Sequence, residues 1–341
     1  MVSFLKVLIR RSFSESQVIR LILGVFFIEL ISISNWYDGI NHYSYTGLLF
    51  VYCAIVEFER DEVISFIQVL ALIAFGMAMY EFFSGAYLFE NLIERNGQSV
   101  QMNAKFVGGH SGVMRSKAFF YGPLDYGNFI IMASLFLRRN IRFLIILLIS
   151  GFMASARLAM TINIAIIIIF NFREIFKTQF VLVLMSISMM SSLIFTDQIA
   201  TSLTRFVSAF SMEDSGNLGR LFYWLSAIEL FMEYDVLDVL VGTNGLYNSR
   251  FGNSTESGWL SLLVDNGIVG ILIYILIFIR YLFGGFAREK IWIVSFLGVA
   301  MTTQTFHLGM STNLLLGLFL LMPDSSSKIK KENEDFTYIQ V

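Results

Sequence analysis

The sequence predicts an all-α fold: a polytopic integral membrane bundle of about ten transmembrane helices, with a large extracytoplasmic loop that carries an amphipathic helix. Three observations predict it. Of 341 residues, 56% are hydrophobic and only 15% charged, whereas soluble domains carry roughly 25% charged residues. The apolar residues run in blocks near the ~20 residues needed to cross about 30 Å of hydrocarbon, instead of recurring at core-facing intervals. The cations gather in short segments between those blocks, as the positive-inside bias requires.

Taken in order, the apolar runs place helices near residues 18–34, 44–57, 63–83, 118–137, 141–155, 158–172, 179–195, 262–283, 291–306 and 311–322. Lys6, Arg10 and Arg11 precede the first in the manner of a signal peptide. No small-residue cleavage site follows, so it is read as an uncleaved first span. Charge decides two divisions. The block 141–172 has Arg138, Arg139 and Arg142 at one end and Arg173 and Lys177 at the other. Basic flanks belong on the cytoplasmic side, so the block crosses twice, turning at Ala154-Ser155-Ala156-Arg157. The block 291–322 lies between Arg288/Lys290 and Lys328/Lys330/Lys331 and divides the same way, turning near His307. Both termini are then cytoplasmic. Residues 1–324 form one membrane domain with outer loops at about 84–117 and 196–257, followed by a polar tail, 325–341. Gly219 to Tyr234 in the second loop has Leu221, Trp224, Leu225, Ile228, Phe231 and Met232 at helical spacing, the pattern of a helix lying on the membrane over the bundle.

A net charge of −2 argues against nucleic acid as a partner. The single cysteine, Cys53, forms no intrachain disulfide, and His42, His110 and His307 lie far apart with no metal-ligand spacing. No P-loop or Gly-x-Ser-x-Gly elbow is present, which argues against an ATP-driven pump or a serine hydrolase. Chemistry therefore rests on few residues. Arg157 tips a hairpin whose helices of about 15 residues reach about 22 Å, short of the hydrocarbon thickness. It either faces a polar cavity with a partner or snorkels to the interface. Arg220 follows Ser215-Gly216-Asn217, an N-cap stretch. A guanidinium beside a helix N-terminus suits phosphate, although surface helices also carry arginines near their ends. Arg115 and Lys117 precede Gly122-Pro123, an irregular helix start. Asn244, Tyr247 and Asn253 lie in segments rich in Asn, Ser, Thr and Tyr that suit sugar hydroxyls and ring faces, but Asn and Gly are equally the common turn formers. Glu256, at the mouth of a span, is a carboxylate able to act as a base.

Four features, in order, resemble the bacterial O-antigen polymerase and O-antigen ligase superfamily: Arg115 with Gly122-Pro123 and Gly127; the Ser155-Ala156-Arg157 turn; Arg220 followed by an aromatic-rich helix and Gly242-Thr243-Asn244-Gly245; and Glu256-Ser257-Gly258-Trp259-Leu260 through Asn266-Gly267-Ile268-Val269-Gly270. The resemblance spans roughly residues 105–285. It implies a metal-independent, cofactor-free glycosyltransferase on the outer face of the cytoplasmic (inner) membrane, acting on undecaprenyl-diphosphate-linked oligosaccharides. A chain-length regulator is a further candidate partner. Ligases of the superfamily carry His-Asn where this chain has Glu256-Ser257, a departure that favours polymerase. Arg157 and Arg220, with Arg115, are then expected to hold diphosphate and Glu256 to activate the acceptor hydroxyl. Asn244, Tyr247, Asn253 and His307 are expected to contact substrate. The competing readings are a ligase, a lipid-linked oligosaccharide flippase or other transporter, and a structural membrane subunit.

Overall fold

A computed structural model describes residues 60–89, 92–95, 98–101, 114–175, 215–243, 245–283, 288–303 and 310–321. They form helices α1 (Arg60–Ser84), α2 (Pro123–Phe136), α3 (Ile141–Met153), α4 (Arg157–Ile175), α5 (Ser215–Met232), α6 (Val236–Val241), α7 (Leu246–Phe251), α8 (Gly258–Phe283), α9 (Arg288–Thr303) and α10 (Met310–Leu321). Seven of the ten expected spans coincide with α1, α2, α3, α4, α8, α9 and α10. The expected spans 18–34, 44–57 and 179–195 lie outside the described residues. Among the described residues, α1, α4 and α8 are long and apolar enough to cross a membrane. The described part of the chain is thus predominantly helical, and three of its helices have the length and composition of membrane spans. The all-α expectation needs one amendment. The first loop contains an antiparallel hairpin, β1 (Leu92–Arg95) and β2 (Gln98–Gln101), with Leu92 opposite Gln101 and Arg95 opposite Gln98. Asn96-Gly97 between the strands is a strong two-residue turn signal.

The chain divides into two compact units, Ile64–Phe222 and the residues up to Val63 together with Tyr223–Val341. In the first, α1 buries Ile67, Ala71, Ala74, Ala78 and Glu81 along one stripe while Phe66, Val69, Ile73, Tyr80 and Phe83 are exposed on the others. Large apolar side chains facing outward, with small alanines facing inward, are the marks of a helix solvated by lipid and packed closely on a neighbour. Helix α2 is the centre of this unit: 12 of its 14 residues are buried. It packs on both α3 and α4. Gly127 of α2 approaches α4 so closely that a Cβ there would lie 2.9 Å from the Ala156 Cβ. Polar groups cross the apolar interface in hydrogen-bonded pairs, with Asn163 donating to Ser134 Oγ at 2.8 Å and Asn171 donating to the Arg138 carbonyl at 2.6 Å. The expected start of this span at 118 moves to Pro123. Proline pre-sets the first helical φ and lacks the N–H that would be orphaned there.

In the second unit α8 is the long central helix, in contact with α6, α7, α9 and α10. It is broken at Gly267, where φ is 63° and ψ −166°. That region is essentially closed to residues with a Cβ. The break exists because the end of α6 passes directly over it. A Cβ on Gly267 would lie 2.3 Å from the Leu240 carbonyl oxygen, and one on Gly242 would lie 2.3 Å from the Asp265 carbonyl carbon. The crossing is stapled by hydrogen bonds from Thr243 N to Val264 O at 3.0 Å and from Gly245 N to the Asp265 carboxylate at 2.9 Å. The Gly242-Thr243 and Asn266-Gly267 motifs are therefore two halves of one backbone contact.

Gly267→Ala is expected to lower stability by about 2–6 kcal/mol, combining backbone strain with overlap against fixed main chain. Titration with SDS in mixed micelles should show unfolding at a lower detergent fraction, with Gly298→Ala, which meets nothing within 4 Å, as the unaffected control.

Candidate functional site

The residues singled out by the sequence gather in two places. The first is the end of the Ile64–Phe222 unit where α1 and α3 finish and α2 and α4 begin. Residues 115–118 run across this end without helical structure, and each of the four has a main-chain group held. The Arg115 carbonyl accepts the Tyr87 hydroxyl at 3.0 Å. Ser116 donates its N–H to the Met153 carbonyl at 3.0 Å and its hydroxyl to the Ala78 carbonyl at 2.9 Å. Lys117 and Ala118 donate their N–H groups to one oxygen of Glu81, at 2.8 and 2.9 Å, and the other oxygen accepts from Leu88 N at 3.3 Å. Ala118 has a φ of 51°. Glu81 is fully buried, Lys117 is buried with its Nζ 5.0 Å from the centre of the Tyr87 ring, and Arg115 is buried. Burial pushes the Tyr87 phenol up to about 12, opposed by the positive charge of Arg115 and reinforced by the Glu81 carboxylate.

Arg157 enters this end through the turn between α3 and α4. That turn is a Schellman cap with serine in the position glycine ordinarily takes. Ala156 N donates to Gly151 O at 3.0 Å, Ser155 N donates to Phe152 O at 2.9 Å, and Ser155 has a φ of 48°. Helix α4 restarts at Arg157, which is half-buried. The hydrogen bond from Ser116 to Met153 ties the Arg115 segment to the residues just before this turn. Arg115 and Arg157 are thus brought to one end of one unit by main-chain contacts.

Arg220 is placed differently from the expectation. Helix α5 starts at Ser215, so Ser215, Gly216 and Asn217 form its first turn instead of capping it. Arg220 lies in the second turn, away from the free N–H groups that would complete a phosphate site at a helix start. On the expected apolar face Leu221, Leu225, Ile228 and Met232 are exposed, as the face of a helix lying on a membrane is, while Ala227 and Leu230 on the other side are buried.

The second place belongs to the unit that includes Tyr223–Val341. Here Tyr247 does not offer a ring face to a sugar. It is 1% exposed, packed with Ala227, Leu230 and Val264, and its hydroxyl donates to the Tyr223 carbonyl at 3.0 Å. Asn253 is half-buried and accepts from Ser254 N at 2.8 Å, a local turn contact. Glu256 is half-buried with a φ of 53°. It is held between two residues that organise the start of α8. The buried Thr255 hydroxyl lies 2.7 Å from the Ser261 hydroxyl and donates to the Ser257 carbonyl at 2.7 Å. Ser257 Oγ accepts from Leu260 N at 3.4 Å in the N-cap manner. A carboxylate directly before the first turn of α8 also lies where the helix dipole favours negative charge. Asn244 and His307 lie outside the described residues.

Glu81 belongs to none of the motifs described above. An ionisable residue in the last turn of an otherwise apolar span is itself a functional signal, because charge at membrane depth is retained only where it has a task. Asp265, also inside an apolar run, accepts from Gly245 N. No protein-family model matches the chain, and no curated protein matches it.

Tyr247 feels burial first, with smaller contributions from Tyr223 and the Glu256 charge, and its phenol is pushed up to about 12 from 10.0. The neutral phenol is the form that the fold favours. Its contribution to stability is complete below pH 10 and is lost as the pH rises toward 12. A tyrosinate absorbance titration of wild type minus Tyr247→Phe should show a phenol ionising near pH 12, and a difference centred near pH 10 would contradict the packing.

Proposed function

We propose that the chain is a polysaccharide polymerase of the O-antigen type, joining undecaprenyl-diphosphate-linked repeat units on the outer face of the cytoplasmic membrane. On this reading ten spans leave both termini in the cytoplasm. The observation that carries the proposal is where the backbone is strained. Among the described residues, three non-glycine residues have left-handed backbone: Ala118, Ser155 and Glu256. Ala118 ends the segment that holds Arg115, Ser155 shapes the turn before Arg157, and Glu256 is the carboxylate at the mouth of α8. Strain of this kind costs about 1–3 kcal/mol per residue, persists only where surroundings over-determine it, and gathers where side chains are presented for work.

The reaction is a glycosyl transfer. A hydroxyl of the incoming repeat unit attacks the anomeric carbon of the nascent glycan, a new C–O bond forms, and the bond to the lipid diphosphate breaks with the diphosphate keeping the electron pair. Glu256 takes the hydroxyl proton. Arg157 and Arg115 meet the diphosphate, on which negative charge grows as the bond breaks, so they stabilise the transition state more than the ground state. Arg220 is the third cation, acting through its charge without support from a helix N-terminus. Glu256-Ser257 in place of the His-Asn pair of ligases favours chain growth over transfer to a lipid A core. A flippase would move the lipid-linked unit and leave its length unchanged.

Membrane vesicles supplied with undecaprenyl-diphosphate-linked repeat units should produce a ladder of longer glycans. Arg157→Ala and Glu256→Gln should each reduce it by about a hundredfold or more while the protein still inserts. Translocation without a ladder would instead establish a flippase, and wild-type ladders from Arg157→Ala would remove that arginine from the mechanism.

A further inference from the structure

Resting on the diphosphate reading above, we propose that Glu81 is the positioning residue for Arg115, folding the 115–118 segment around its own carboxylate. The geometry has three parts. Glu81 is fully buried in the last turn of α1, where a carboxylate is expensive unless several donors meet it. Both of its oxygens act as acceptors, and one takes two successive N–H groups, from Lys117 and Ala118. Converging N–H groups of this sort form an anion-binding nest, which is why Ala118 adopts a φ of 51° despite its Cβ. The neighbouring contacts, Tyr87 hydroxyl to Arg115 O and Ser116 N to Met153 O, then fix the main chain on which Arg115 is mounted relative to the turn that carries Arg157.

A purely structural strut need not be charged. Here the carboxylate is within reach of the charge of buried Lys117, two residues from buried Arg115, so it shapes the segment and partly offsets its charge. Those two effects separate by substitution. Glu81→Gln keeps an acceptor for the Lys117 and Ala118 amides but removes the negative charge. Glu81→Ala removes both. Misplacement by about 1 Å at a reacting group costs on the order of a hundredfold in rate.

The test uses the full chain in vesicles. Hydrogen exchange at the Lys117 and Ala118 amides, read by mass spectrometry, should accelerate about tenfold or more in Glu81→Ala and stay near wild type in Glu81→Gln. In the ladder assay Glu81→Ala should lose about a hundredfold in kcat, Glu81→Gln should restore most of it with a lower KM for the lipid diphosphate donor, and Glu81→Ala combined with Arg115→Ala should be no worse than Arg115→Ala alone. Unchanged exchange in Glu81→Ala overturns the clamp. A wild-type ladder in Glu81→Ala, or a double variant much worse than Arg115→Ala, overturns the positioning role while the polymerase reading stands. A wild-type chain that makes no ladder sinks that reading and the role resting on it, and the exchange result still decides the clamp.

Discussion

Peptide groups that leave water must find partners, and in hydrocarbon an unmet N–H or C=O costs several kcal/mol. A membrane helix meets the requirement by itself along its length, so every place where helical structure stops has to be completed by something else. The described structure has two such places of consequence. At the end of α1 the buried Glu81 carboxylate receives the N–H groups of Lys117 and Ala118, the Met153 carbonyl receives that of Ser116, and the Tyr87 hydroxyl donates to the Arg115 carbonyl. At the break in α8 the Val264 carbonyl is met by Thr243 N and by the Tyr234 hydroxyl at 3.1 Å. The Asp265 carboxylate in turn receives Gly245 N. These polar residues lie in long-apolar-run territory because the breaks are there.

Local strain and the requirement for partners are linked. Ala118, Ser155 and Glu256 keep left-handed backbone because neighbouring groups remove the alternatives: a carboxylate for Ala118, the two cap hydrogen bonds for Ser155, and the Thr255, Ser257 and Ser261 hydroxyl network for Glu256. Each is a short connection between rigid elements, and rigid elements hold side chains more closely than loops do. By contrast Arg250, another cation of the second loop, pairs with Glu233 on the exposed surface, a contact of a kind that contributes little.

Much of the fold was legible because lipid imposes long apolar runs and cations mark their ends. The turn at residues 154–156 followed from basic flanks alone, since a segment with both ends on one side has to reverse somewhere. The beginnings of elements were less legible. Ser215-Gly216-Asn217 has the composition of a cap and of a first turn alike, and only tertiary packing chooses. Tyr247 looked solvent-facing because its neighbours in sequence are polar, but it is buried by Ala227, Leu230 and Val264, contacts far away along the chain. Glu81 is marked in the sequence only as a charge at membrane depth, and what it holds is not legible there because its partners lie 36 and 37 residues downstream.

Helix α3 has 13 residues, a length of about 20 Å. Beside a hydrocarbon layer of about 30 Å it presents a hydrophobic mismatch on any side that neighbouring helices leave uncovered. Bilayers answer mismatch by elastic thinning, at fractions of a kcal/mol for each Å. On the ten-span topology proposed above, the lipid around this helix is a mechanical component of the fold, and acyl-chain length becomes a variable of the protein's stability in its own right.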